Sequence, residues 1–185
     1  MLDIREANIG DIPTIAKIHE AAWRNTYSFM PQEVLDNRDK AYRENQWKQW
    51  FIEDKGNQNE ALYVLENEDK TVGFCMGKPN DDEMLIGAQG ELHAIYMLPD
   101  HRTFGVSYLA MSTLARHLVG RGFSSLCCWA FQENKIWRWY ERLGFKRMIA
   151  RNRRINNVDI PEFGMVHFEP MKLIELTERQ LQKIK

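Results

Sequence analysis

A mixed α/β (α+β) fold, with a central sheet and helices on both of its faces, is predicted by three observations. Several short segments alternate apolar and polar residues with a period of two, as half-buried strands do. Three longer segments carry apolar stripes at helical spacing. In the second half, strand and helix patterns alternate, which requires crossover connections and therefore parallel members in the sheet.

The elements are read in chain order. Leu2 to Glu6 alternates as a strand. A helix is expected from Asp11, with Pro13 in its first turn, where the missing N–H costs nothing. Its apolar face is Ile12, Ile15, Ala16, His19, Ala22 and Trp23, and a break follows at Tyr27 to Pro31. A second helical stretch presents Trp47, Trp50 and Phe51 on one face. Ala61 to Glu66 and Thr71 to Gly77 read as strands joined by the turn Asn67-Glu68-Asp69-Lys70, and Lys78 to Glu83 as a polar loop. Glu91 to Leu98 is a further strand, closed by Pro99. Val106, Leu109, Ala110, Thr113, Leu114, His117 and Leu118 form the stripe of a long helix that Gly120 and Gly122 end. Ser125 to Phe131 is a buried strand, Lys135 to Arg142 a short helix closed by Gly144, and Phe145 to Phe168 two strands about the turn at Asn156-Asn157. A charged helical tail ends the chain. No repeat, low-complexity segment or linker interrupts it, so one domain over 1–185 is expected.

Composition narrows the function classes. With 185 residues, 44% of them hydrophobic, the chain can bury a core without metal or disulfide staples. A formal net charge of −1 leaves no global field to recruit nucleic acid or an anionic membrane. The small basic cluster Arg151, Arg153 and Arg154 does not alter that. Cys75, Cys127 and Cys128 lack metal-ligand spacing and are odd in number, so buried thiols are expected and no metal. No signal pattern opens the chain and no apolar stretch is long enough to span a bilayer, which together suit a reducing cytoplasm.

The chemistry concentrates in GELHAIYMLPDHRTFGVSYLAMSTLARHLVGR, residues 90–121. A strand ends at Pro99, and the loop from Asp100 to Phe104 turns into a helix at Gly105. The first N–H groups of a helix have no intrahelical partner and stand at the positive end of its dipole, so an anion such as a pyrophosphate is favoured there. Arg102 adds a full positive charge, and Gly105 permits close approach to the backbone.

Arg102-Thr103-Phe104-Gly105-Val106-Ser107 resembles the Gln/Arg-x-x-Gly-x-Gly/Ala loop of the GNAT acetyltransferases. Arg102 and Gly105 match; Ser107 stands where the family usually has Gly or Ala, and Thr103-Phe104 replaces a common Gly-Lys or Gly-Arg pair. Trp139-Tyr140-Glu141-Arg142-Leu143-Gly144-Phe145 is similar to the family's Phe-Tyr-x-x-x-Gly-Phe. The family's usual Asn seven residues before that Tyr is Glu133 here, with Asn134 next. The start, IREANIGDIPTIAKIHEAAWRNTYSFMP, also resembles that of many small bacterial members, so the likeness covers nearly the whole chain.

The resemblance implies the GNAT fold: a strongly twisted mixed sheet of about seven strands, splayed between the fourth and fifth. It implies acetyl-coenzyme A (acetyl-CoA) as co-substrate, lying between the strands Glu91–Leu98 and Ser125–Phe131. Its pantetheine arm would pair with backbone near Ile95, Tyr96 and Met97, where an N–H polarises the thioester carbonyl. Its pyrophosphate would sit on Arg102, Thr103, Phe104, Gly105, Val106 and Ser107. Asn134 would bond the arm or cap the following helix, and Tyr140 would protonate the leaving sulfur while packing on Ile136 and Leu143. Acetyl transfer to a primary amine of a small molecule would be direct, within a ternary complex. The amine must lose a proton, for which Glu91 is the first candidate base and His93 the second; at period two both would share a face with Ile95 and Met97. Acceptor-binding candidates are Trp23, Tyr27 and Phe29, and the acidic run Asp81-Asp82-Glu83 is either an attractor of a cationic amine or a solvated loop. Two alternatives remain open: acetylation of a protein or peptide, and a catalytically idle acyl-CoA-binding domain. Exposed strand edges leave a homodimer open as well.

Overall fold

The computed structural model describes residues 2–53, 57–102 and 104–184. Thr103 and the Phe104 side chain, both expected at the phosphate loop, lie outside the described residues. Strand β1 (Leu2–Glu6) leads through a short 3-10 turn into helix α1 (Ile12–Thr26). Asp11 caps that turn rather than the helix: its carboxylate accepts the Asn8 N–H at 2.8 Å and takes two bonds of 2.8 Å from Arg5. After Tyr27 the chain forms two helices where one was expected, α2 (Gln32–Asp36) and α3 (Lys40–Glu53). Strands β2 (Ala61–Asn67), β3 (Lys70–Pro79) and β4 (Gly90–Met97) come next, then α4 (Phe104–Gly120), β5 (Leu126–Phe131), α5 (Trp137–Arg142), β6 (Lys146–Ile155), β7 (Val158–His167) and α6 (Pro170–Gln182).

The strands form one seven-stranded sheet in the order β1-β2-β3-β4-β5-β7-β6. Every neighbouring pair is antiparallel except β4 with β5, which is the parallel pair that the crossover through α4 requires. Helices cover both faces. Leu62, Val64, Phe74, Met76 and Ala94 face α1 and α3, where Ile12, Ile15, Ile18, Trp47 and Phe51 meet them. On the opposite face Val72, Cys75, Leu92, Leu126, Cys128 and Met165 pack against α4 and α6 through Met111, Leu114, Leu118 and Leu173. All three cysteines are free and buried, and burial raises each thiol pKa, which fits packing rather than reactivity.

Two irregularities shape the centre. In the β3–β4 ladder Ile95 opposes Cys75, Ala94 opposes Met76 and Leu92 opposes Gly77, so His93 is an unopposed bulge residue. Between β4 and β5, in turn, pairing is confined to Gly90 with Leu126 and Glu91 with Cys127. Beyond those two positions the strands part, as the family resemblance implied.

Past β5, Gly144 ends α5 with φ of 101°. A Cβ at that position would fall 2.7 Å from His167 Nε2, and this imidazole already lies 3.0 Å from the Leu143 carbonyl. Gly144→Ala is therefore expected to lower unfolding free energy by about 2 kcal/mol, from the left-handed backbone and the contact together. Urea denaturation at neutral pH measures it.

Candidate active site

The parting of β4 from β5 opens a cleft of about 480 Å³. Residues 92–97 of β4 have no strand partner on the β5 side, so part of the backbone there is free to pair with a ligand. Leu92 to Met97, Ser107 at the start of α4, and Asn134, Trp139 and Tyr140 from the β5–α5 segment line the cleft. Arg102, Lys135 and Arg142 bring three cationic side chains to the same lining. The Arg102 guanidinium is held over the end of α1, donating to Asn25 Oδ1 at 2.8 Å and Thr26 Oγ1 at 2.9 Å. Asn134 accepts the Ile136 N–H at 3.2 Å, so it braces the turn before α5 while facing the cleft. Burial, with small contributions from Cys128 and Tyr96, raises the Tyr140 phenol well above its ordinary pKa, so it keeps its proton at neutral pH.

A second cavity, about 130 Å³, lies on the α1 and α3 side of the sheet. Its aromatic lining includes Trp23, Tyr27, Trp47, Tyr96, Trp129 and Phe131. Tyr27, His93, Ala94, Tyr96 and Trp129 line both spaces, so the cavity and the cleft meet at the bulge. Here Glu91, 8% exposed, places Oε1 2.9 Å from His93 Nδ1 and Oε2 3.5 Å from Lys78 Nζ. Desolvation pushes the Glu91 pKa up, but the His93 hydrogen bond and the His93 and Lys78 charges outweigh it and hold it below the usual range. An ionised carboxylate only accepts, so His93 Nδ1 carries the hydrogen, and in the neutral imidazole the lone pair then lies on Nε2. The bulge thus builds a carboxylate–imidazole dyad with its basic nitrogen beside both spaces.

The chain is similar to known proteins in sequence and in fold. The sequence matches the profile of the acetyltransferase (GNAT) family over residues 15–145. It is also 30% identical over 167 residues to the uncharacterized N-acetyltransferase YuaI of Bacillus subtilis, covering 89% of this chain and 92% of YuaI. The chain belongs to the GNAT acetyltransferase family. Among solved structures, the PaiA N-acetyltransferase of Thermoplasma acidophilum in complex with coenzyme A is similar with a TM-score of 0.72 at 16% identity, over 91% of this chain and 99% of that one. The ribosomal-protein-alanine N-acetyltransferase of Brucella melitensis is similar with a TM-score of 0.65 at 19% identity, over 90% and 99%. At these identities the two structures speak for the GNAT fold.

Most site expectations converge on the two spaces, and several change character. The bulge at His93 shifts the alternation of β4, so Glu91 does not share a face with Ile95 and Met97: those two pack toward α4, while Glu91 lies with Ala94 and Tyr96 on the α1 side. Gly105 and Val106 are buried at the start of α4 outside both linings, and a Cβ on Gly105 would meet Ile184 and Leu2 at 3.7 and 3.8 Å. Phe29 is 40% exposed, stands edge-on to Tyr27 and lines neither space. The acidic run is engaged elsewhere, Asp81 with Lys78 at 2.8 Å and Asp82 with Arg151 at 2.6 Å. Sequence reasoning missed His19, Arg38, Arg43, Trp129 and Glu162 as lining residues. One signal for Arg43 was present: with Trp47 and Phe51 it repeats every four residues along the buried stripe of α3.

Glu91 has a depressed pKa in the fold, so the stability it contributes is present above the unfolded carboxylate pKa and is lost as pH falls through the folded value. The melting-temperature gap between wild type and Glu91→Gln should therefore shrink on acidification from about pH 6 to about pH 3. Differential scanning fluorimetry across that range tests it.

Proposed function

We propose that this chain transfers the acetyl group of acetyl-CoA to a primary amine on a small molecule, directly and within a ternary complex. The observation that carries this reading is that the β4–β5 cleft and the small cavity adjoin at the bulge, where both are lined by Tyr27, His93, Ala94, Tyr96 and Trp129. One space suits a long extended donor and the other a compact acceptor, and they meet beside a base. The PaiA structure with coenzyme A supports the donor. The residues here fit it: an unpaired strand edge at 92–97 for an amide-bearing arm, and Arg102, Lys135 and Arg142 for phosphate charge. The N-terminal end of α4, where Ser107 lines the cleft, carries the positive end of the helix dipole and favours an anion.

The bound donor supplies an activated acyl carbon; the chain's own residues supply position and proton movement. Holding the two reactants at the junction converts a bimolecular encounter into a local one. His93 Nε2 takes the proton that the attacking amine must lose, and Glu91 holds the imidazole in the tautomer that leaves Nε2 basic. Tyr140 keeps its proton for the departing sulfur. His93 and Tyr140 both line the cleft. The cavity of about 130 Å³ supports a small acceptor, since an engineered cavity of roughly 150 Å³ is filled by a benzene molecule.

Calorimetric titration with acetyl-CoA is expected to give saturable binding, and absence of binding to folded protein overturns the reading. Tyr140→Phe and His93→Gln are each expected to lower kcat by about 100-fold while acetyl-CoA binding persists. Thiol release with an amine panel measures this, and an unchanged kcat for Tyr140→Phe removes it as the acid.

A further inference from the structure

The small cavity gathers unsatisfied donors. Seven buried side-chain nitrogens lack a hydrogen-bond partner among the described residues, and six belong to residues lining this one space: His19 Nδ1, Trp23 Nε1, Arg38 Nε, Arg43 Nε, Arg43 Nη2 and Trp47 Nε1. Native folds satisfy nearly all such groups, so a cluster of orphans around one cavity points to a ligand that supplies the acceptors. Indole and guanidinium nitrogens only donate, so the missing partner is an acceptor group.

Arg43 makes the point sharper. It is 2% exposed, and the one hydrogen bond of its side chain among the described residues, 3.0 Å from Nη1, goes to the neutral Gln46. Its guanidinium lies 4.7 Å from the Trp23 ring centre and 5.4 Å from that of Tyr42. Among the described residues no carboxylate pairs with it or with Arg38. The two acids of the cavity are engaged elsewhere: Glu91 with His93 and Lys78, Glu162 with Arg151 at 2.8 Å and Arg153 at 3.9 Å. Burial is the main cause that pulls Arg43 down to about 10, which leaves it charged at neutral pH. A buried cation without a counter-ion is costly to maintain.

Building on the transferase reading, we infer that the acceptor carries a carboxylate as well as its amine, with the carboxylate held by Arg43, Arg38 and the Trp23 and Trp47 indoles. Glu91 with His93, in the same lining, then receives the amine beside the cleft. A bidentate guanidinium–carboxylate pair suits Arg43, whose Nε and Nη2 are both unpartnered. The small volume favours a compact amino acid.

The test measures thiol release from acetyl-CoA with the protein L-amino acids, their primary amides and the corresponding decarboxylated amines, L-valine, L-valinamide and isobutylamine among them. The free amino acid of at least one such set is expected to exceed its two neutral counterparts in kcat/KM by about 10- to 100-fold, the size of a charged hydrogen-bonded contact. Arg43→Met should abolish that preference. Turnover of neutral amines with no gain from the carboxylate overturns the inference and leaves the transferase reading standing. A binding arm runs without turnover: the same amino acids, with coenzyme A present, should raise the melting temperature of wild type and not of Arg43→Met. If no acceptor turns over, this arm decides, and no amino-acid-dependent shift in wild type overturns the inference. Free of ligand, Arg43→Met should melt at or above the wild-type temperature, because it removes an unpaired buried charge. Arg38→Met carries the same preference test should Arg43→Met fail to fold.

Discussion

The separation of two parallel strands governs this molecule. β4 and β5 pair at two positions and then diverge, with the extra residue His93 bulging from β4 just beyond the last pair. A bulge adds a residue on one strand, sharpens its twist and re-aims the side chains beyond it. Three consequences share that cause. A stretch of strand edge is left unpaired inside the molecule, a cleft opens along it, and the Glu91–His93 pair is brought to the point where cleft and cavity meet. The rest of the sheet holds this break open: the β1-β2-β3 ladder on one side and β7-β6 on the other are continuous antiparallel pairings.

Charge is distributed by a consistent rule around that break. Elsewhere, ions are matched: Arg5 pairs with Asp11 and Glu66, and at the edge of the cavity Arg151 pairs with Asp82 and Glu162 while stacking 3.5 Å over Trp129. Around the small cavity Arg43 and Arg38 face aromatic rings instead of acids. Burying polarity without partners sacrifices stability, and proteins tolerate it where a ligand completes the set. His19 belongs to the same region. Enclosed by Trp23, Trp47, Phe74 and Tyr96, with Arg43 near, it is held neutral chiefly by desolvation, its pKa well below normal. A neutral imidazole there adds no further cation to a space that already holds Arg38 and Arg43.

Much of the architecture was legible because it is written in short-range patterns. The stripe Ile12, Ile15, Ala16, Ala22 and Trp23 predicted α1, and the stripe from Val106 to Leu118 predicted α4, since burial of one helical face has a period the sequence must carry. The strand-helix-strand order around α4 predicted the parallel pair. What the patterns misplaced was the side of the sheet on which Glu91 lies. Period-two reasoning assumes an unbroken strand, and one inserted residue reverses every assignment across it. The α2 helix, five residues long, was likewise too short to show a period.

The sequence by itself determined the fold class, the family and the order of the elements apart from α2, because each depends on residues close together in the chain. The tertiary structure decided which residues line the small cavity. Trp23, Arg43, Glu91, Trp129 and Glu162 come from five separate elements and meet across the sheet. Whether an arginine is solvated or buried without a counter-ion depends on what those distant elements place around it, and no local pattern records that.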